Sequence, residues 1–492
     1  MRYLPRLFMD SLPTAKSLQA HIDDAPNLSP IQWRIWGLAA MGKLFEGAVV
    51  FLTGVAIPLV EKDFNLSTTL KGSVAAATLF GILVGASLFG NIADRLGRRF
   101  VFCLEILLFT VFIALAALAW NPGSLVLFLF LAGVALGADY PTAHLIISES
   151  MPSRLRGRLV LGAFTFQSVG ALLGVFTGLL LLRLDPRVSA WHWMYAVMII
   201  PGLIVFWLRT SLPESAHWLL AQQRHEQAYI AARKLFGHPV QLLPHRMTNS
   251  GSSGSAKLNF VALFSPTYIR ATILSAVPWF LQDLSTYGIG IFTPTILATL
   301  FTKTEPNFIL KEMVAVQGSG AVDSFLLIGF ITSVCLVDRV GRIPLQIFGF
   351  IGCALGLAIA ALSYGVVPAE HELKIVLIFG GFMLFNFMTN LGPNAMTYVL
   401  AGEVFPVEIR GAGAGFAASF AKIGAVCTAL CFPVLRQSLG TENLLYLLAL
   451  ASLVGALVTY LCRIETRGKN LEATFSQAPT PPGVGTPEVS PS

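Results

Sequence analysis

Charge is scarce in this chain. Acidic and basic residues together make up 12% of its 492 residues, about half of what a soluble domain carries. Cysteine is scarce too. The six, Cys103, Cys335, Cys353, Cys427, Cys431 and Cys462, form no CxxC pair and no Cys/His ligand spacing, which excludes a recognisable metal site or disulfide framework. The first 30 residues hold no apolar core of a cleavable signal peptide, so the first apolar block is expected to direct insertion. Nucleotide chemistry has no support. Gly411-Ala412-Gly413-Ala414-Gly415 precedes an apolar run and lacks the Lys-Ser/Thr pair of a phosphate loop. It reads as a small-residue face for close helix packing. No nucleophile–base or metal constellation occurs, so neither an enzyme nor a cofactor is expected.

What is abundant is apolar sequence, 55% of the chain. It comes in twelve blocks, roughly 36–60, 73–93, 100–119, 124–148, 159–182, 192–208, 271–300, 315–337, 344–363, 373–402, 411–435 and 443–462. Each is near the length of about 20 residues that crosses a bilayer as a helix. The expectation is an all-α membrane protein of twelve transmembrane helices. An N-terminal tail (1–35) precedes a six-helix half (36–208). A central loop with short surface helices (209–270), including one over 217–236 and a polar linker from Asn249 to Ser255, leads to a second half (271–462). The tail 463–492 ends in a Pro-rich stretch from Ala478 to Ser492, expected to be disordered. Of 33 Lys and Arg, 23 fall on the side of the N-terminus, 8 on the other and 2 inside blocks. That bias places both termini in the cytoplasm of a plasma or inner membrane. It also accounts for the net charge of +7 without nucleic acid.

The halves share signatures. Asp94-Arg95-Leu96-Gly97-Arg98 recurs 244 residues later as Asp338-Arg339-Val340-Gly341-Arg342, and Glu149 to Gly157 recurs 254 residues later as Glu403 to Gly411. Two pseudo-symmetric six-helix halves follow, an architecture that points to transport with the substrate held between them. Without ATPase motifs, uphill transport must draw on an ion gradient.

Charges inside membrane helices are costly, about 3 kcal/mol on insertion scales, and mark candidate sites. Lys43, Glu46, Glu105, Asp139, Asp283 and Lys422 fall well inside blocks. Lys43 and Glu46, spaced i,i+3, either neutralise each other or leave Glu46 for proton coupling. Glu105 is placed to snorkel. Asp323 reads as a helix-start residue near the surface. Trp279, Asp283 and Tyr287 stand at i, i+4, i+8 and share a face, so Asp283 is either a proton-exchanging carboxyl or a core group bonded to Tyr or Trp. Asn386, Asn390 and Asn394 repeat that spacing and read as a cavity wall. Lys422 needs an anion, whether Asp283, Glu46 or a substrate.

These residues resemble the major facilitator superfamily over about residues 35–470. The turns at Asp94 and Asp338 match its hallmark. Gly137-Ala138-Asp139-Tyr140-Pro141, Phe166-Gln167, Trp279-Phe280-Leu281-Gln282-Asp283, Asn390-Leu391-Gly392-Pro393-Asn394 and Lys422-Ile423-Gly424-Ala425 are similar to the phosphate:proton symporter branch. The resemblance implies the major facilitator fold and a substrate site of Tyr140, Gln167, Trp279, Asp283, Tyr287, Asn390, Asn394 and Lys422. It implies proton coupling by Glu46, Asp139 and Asp283. It implies a cytoplasmic latch of Asp94, Arg95, Gly97, Arg98, Glu149, Arg156, Asp338, Arg339, Gly341, Arg342, Glu403 and Arg410. One departure stands out: that branch has two acidic residues in its first helix, where this chain has Glu46 and Val49. Pro213-Glu214-Ser215-Ala216-His217-Trp218-Leu219 and Glu465-Thr466-Arg467-Gly468 resemble sugar-porter signatures instead. The function implied is a monomeric proton-coupled symporter of inorganic phosphate or a similar small anion, partnered only by substrate, protons and lipid. The alternatives are a sugar or organic-acid (including aromatic-acid) carrier, and a nutrient sensor that does not transport.

Overall fold

Ser29 opens the first helix. Its Oγ accepts from the Gln32 amide at 3.2 Å while the Gln32 side chain accepts from the Ser29 amide at 2.8 Å, a reciprocal cap with Pro30 at the first helical position. The helix, α1 (Pro30–Phe64), ends at Asn65 in the left-handed region. Ser67 caps α2 (Thr68–Leu96). α3 (Arg98–Ala117) follows at once, and an Asn121/Ser124 box opens α4 (Pro122–Ser150). After α5 (Ser153–Leu184) the sixth crossing comes in two pieces, α6 (Ala190–Ala196) and α7 (Ile199–Thr210).

In this computed structural model the described residues are 18, 22–23, 27–236, 260–301, 307–366, 368, 372–406 and 409–466. The segment Asn249 to Ser255, the tail from Ala478, and Arg467 and Gly468 lie outside them, as do the side chains of Asp94 and Arg156. The surface helix expected over 217–236 is two helices, α8 (Ala216–Ala221) and α9 (His225–Phe236). Gln223, at φ 57°, turns the chain between them.

The second half comprises α10 (Ile269–Ala298), α11 (Phe308–Val340), α12 (Arg342–Val366), α13 (Glu372–Leu391), α14 (Pro393–Glu403) and α15 (Arg410–Leu461). Among the described residues there is no strand, and ten helical stretches are long and apolar enough to cross a membrane. α13 and α14 count there as one stretch, broken at Gly392 where Pro393 cannot continue the hydrogen-bond ladder. α15 bends at Gly440 and makes two crossings, and the 30-residue α10 completes twelve.

Large apolar side chains such as Leu88, Leu180, Trp207, Phe348 and Leu450 stand exposed around the bundle. In water they would form an aggregation-prone surface; facing acyl chains they need no cover. α1 and α10 lie at the centre, buried along most of their length. They meet across the two halves where a Cβ at Gly54 would strike the Ile291 carbonyl, and α2 meets α15 at Gly72 and Leu430 in the same way. These contacts close the outer side. On the inner side Arg158 Nη2 reaches Asp338 Oδ2 across the halves at 2.7 Å.

Candidate functional site

At the centre four charged side chains meet from three helices. Glu46 of α1 accepts at Oε1 from Tyr140 OH at 2.8 Å, Gln167 Nε2 at 3.2 Å and Tyr287 OH at 3.3 Å, and at Oε2 from Lys43 Nζ at 2.9 Å. Lys422 of α15 stands 3.5 Å from Glu46 Oε1, 3.3 Å from Asp283 Oδ2 and 2.8 Å from the Tyr287 hydroxyl, to which it donates. Lys43 Nζ lies 2.7 Å from the centroid of the Tyr140 ring. All four ionic groups are buried. Two cations and two carboxylates balance, which is what makes their burial tolerable. An incoming anion must therefore compete with a carboxylate for Lys422, unless a proton first neutralises that carboxylate.

Beside this cluster a small cavity is lined by Phe51, Gln167, Ser168, Gln282, Thr286, Tyr287, Leu326, Asn390 and Asn394. Its volume of about 20 Å³ holds one water at most. The wall is neutral. Asn390 Nδ2 donates to Ser168 Oγ across the halves at 2.9 Å and to the Leu326 carbonyl at 2.8 Å, and Asn394 donates to Asn390. Gln282 donates to Thr286, which meets Thr389 at 3.2 Å.

Of the residues expected to bind substrate, Tyr140, Gln167, Asp283, Tyr287, Asn390, Asn394 and Lys422 come together here. Trp279 does not. It packs among Ala276, Ala401, Ala417 and Ala421 with an edge contact to Tyr398. Asn386 is also turned away from the cavity, because it clasps Asp323. That aspartate lies in mid-helix and is fully buried, not at a helix start near the surface.

Asp139 belongs to a second cluster. Arg209, fully buried, donates to Glu105 Oε1 at 2.6 Å, to Asp139 Oδ1 at 3.2 Å and to the carbonyls of Phe102 and Leu38. Glu105 is therefore an ion-pair partner and does not snorkel. Gly42 makes room, since a Cβ there would collide with the Asp139 carboxylate. Arg209 went unnoticed in the sequence because it sits at the edge of an apolar block. The two unexplained buried acids were the signal that a cation must meet them.

On the inner face the repeated signatures build two equivalent clasps. Gly97 (φ 103°, ψ 151°) and Gly341 (φ 104°, ψ 164°) end α2 and α11 in a conformation closed to other residues. The amides that open the next helices then face outward. Glu214 accepts from the Arg99 amide at 3.0 Å; Glu465 accepts from those of Arg342 and Ile343 at 3.2 and 3.0 Å. Arg98 pairs with Glu149, itself bonded by Ser215 Oγ. Arg342 pairs with Glu403, itself bonded by Thr466 Oγ1 at 2.5 Å. Glu214, Ser215, Glu465 and Thr466 sit in the two sugar-porter-like motifs, but the capping by the two glutamates and the bonds from Ser215 and Thr466 to Glu149 and Glu403 appear only in three dimensions. Of the other latch residues, Arg95 and Arg339 are exposed and Arg410 bonds its own loop at the Phe405 carbonyl.

A family profile described as "Sugar (and other) transporter" matches residues 35–475. The chain is similar to the putative metabolite transport protein YaaU of Escherichia coli (strain K12), 28% identical over 89% of this chain and 93% of that protein. It is similar to the inorganic phosphate transporter 1-6 of Oryza sativa subsp. japonica, 26% identical over 84% and 85%. The solved proton:xylose symporter XylE, bound to 6-bromo-6-deoxy-D-glucose, superposes with a TM-score of 0.72 at 22% identity, over 91% of this chain and 100% of that one.

Proposed function

Because this chain belongs to the sugar (and other) transporter family and is a multi-pass secondary transporter of the major facilitator fold, we propose that it carries a small anion, inorganic phosphate foremost, together with a proton. One observation supports this above the rest: Lys422 is shared between Asp283 and Glu46 at 3.3 and 3.5 Å, beside the small central cavity. Protonation of Asp283 frees Lys422 for the substrate's charge and gives the carboxyl a hydrogen to donate. Ionised Asp283 holds Lys422 and repels an anion. Proton and substrate then bind better together than apart, which is the thermodynamic content of coupling. Tyr140, Gln167, Tyr287, Asn390 and Asn394 orient the substrate, Trp279 stiffens the helix that carries Asp283, and Glu46 and Asp139 pass protons. The clasps at Arg98/Glu149 and Arg342/Glu403 keep each half rigid as the halves rock, and the Arg158–Asp338 pair and the Phe164–Tyr398 stack join them on the inner side. The likeness to a plant phosphate transporter favours phosphate.

The test is uptake of radiolabelled phosphate into proteoliposomes under an imposed pH gradient. Uptake should rise with an inward proton gradient, and Asp283→Asn should abolish the response. Gradient-independent uptake would refute coupling. A second reading, a hydroxylated or carboxylated metabolite, is favoured by the neutral amide and hydroxyl wall of the cavity. Competition of that uptake by sugars or organic acids would select it.

A further inference from the structure

α11 carries a polar stripe that the central charges do not use. Glu312, Ser319 and Asp323 are spaced by seven and four residues and so lie along one face. All three are buried. Each presents an oxygen, Glu312 Oε2, Ser319 Oγ and Asp323 Oδ2, with no hydrogen-bond partner among the described residues. The stripe starts one turn inside the outer end of α11 and stops at mid-helix. There Asp323 Oδ1 accepts from Asn386 Nδ2 at 2.9 Å, and the same carboxamide also donates to the Val322 carbonyl at 3.1 Å. One turn further in, Asn390 grips the Leu326 carbonyl in the same manner and faces the cavity.

Among the described residues, the nearest groups to Asp323 are uncharged. α13 presents Asn386 to it, and its own helix presents Ser319. Val175 and Phe176 of α5 lie nearest Gly320, and Phe379 of α13 and Leu297 of α10 lie nearest Gly318, all apolar. No cation stands within ion-pair distance of Asp323 among the described residues. At the outer end the charged groups near Glu312 are Lys311 and Glu61, the latter paired with Lys71 at 2.9 Å. Ionising a fully buried carboxyl that has one carboxamide donor and no counter-ion is costly, so its packing favours the neutral form.

We infer that Asp323, held by Asn386, is a second proton-binding site, separate from the Asp283–Lys422 pair, that exchanges its proton with the outer side along Ser319 and Glu312. The buried packing of Asp323 against Asn386 holds the proton on. Opening of the outer side wets the stripe and lets it leave. The site exists whichever substrate is carried; its use in transport rests on the proton-coupled reading above.

The test needs no substrate. Full-length protein in lipid nanodiscs, grown with carbonyl-labelled aspartate, is taken from about pH 9 to about pH 5, a window that spans ordinary and strongly perturbed carboxyls. Infrared difference spectra then report the carbonyl band of protonated aspartate. One residue's share of that band should vanish in Asp323→Asn and persist in Asp283→Asn. Should Asp323→Asn fail to fold, Asn386→Leu keeps the carboxyl and removes its donor, and the midpoint of that component should move. Difference spectra of Asp323→Asn or Asn386→Leu that superimpose on wild type would overturn the inference. So would a component displaced by sodium but not by choline, which would make the site a sodium site.

Discussion

Lys422 touches two carboxylates and a tyrosine hydroxyl within 3.5 Å, so its removal leaves more unbalanced than its own charge. Lys422→Met is expected to cost about 3–5 kcal/mol in thermal or denaturant unfolding, the usual effect of stranding a buried partner. Lys422→Met combined with Asp283→Asn should recover part of the loss, because the stranded charge is gone. A double variant no better than the single would show that Asp283 is not the stranded group. Arg209 offers the same logic with two acids and one base. Arg209→Met should be destabilising by a similar ~3–5 kcal/mol, and adding Glu105→Gln should return some of it. The residue scale is also where the sequence misled. Spacing alone put Trp279, Asp283 and Tyr287 on one face, but a helix face is wide. Trp279 ends among alanines and Tyr398 while its neighbours meet Lys422.

Elements were easier to read than contacts. Each apolar block falls on a helix or a closely joined pair of helices, because burying a backbone in lipid leaves few other solutions. What escaped were the breaks. The block 373–402 reads as one helix, yet Gly392 and Pro393 divide it, so Asn390 and Asn394 reach the cavity from two pieces while Asn386 turns to Asp323. The two glycines that end α2 and α11 make a prediction at this scale. Gly97→Ala and Gly341→Ala should each cost about 1–3 kcal/mol of stability, since both positions hold a backbone conformation that a Cβ opposes. Being in separate halves, they should add nearly independently. Strong non-additivity in thermal unfolding would show that the two clasps communicate.

For the whole molecule, the two halves touch at the outer side through backbone, and at the inner side through Phe164, which packs on Phe330 and stacks on Tyr398 at 4.4 Å, and through an exposed ion pair. The contacts differ in strength. Arg158–Asp338 is solvent-exposed, and such pairs contribute about 0–1 kcal/mol. Arg158→Glu should therefore move the balance toward inner-side opening by no more than about fivefold. Pulsed spin-label distances between the inner ends of α4 and α11 would read the shift. Arg158→Glu with Asp338→Arg should reverse it. Within each half, the glutamate after the last crossing reaches back to the start of the third: Glu214 to α3, Glu465 to α12. Each six-helix unit thus buckles its own belt without help from the other. A polypeptide severed between residues 236 and 260 would leave both buckles fastened. Two fragments made from separate messages should find each other in the bilayer and rebuild a working carrier.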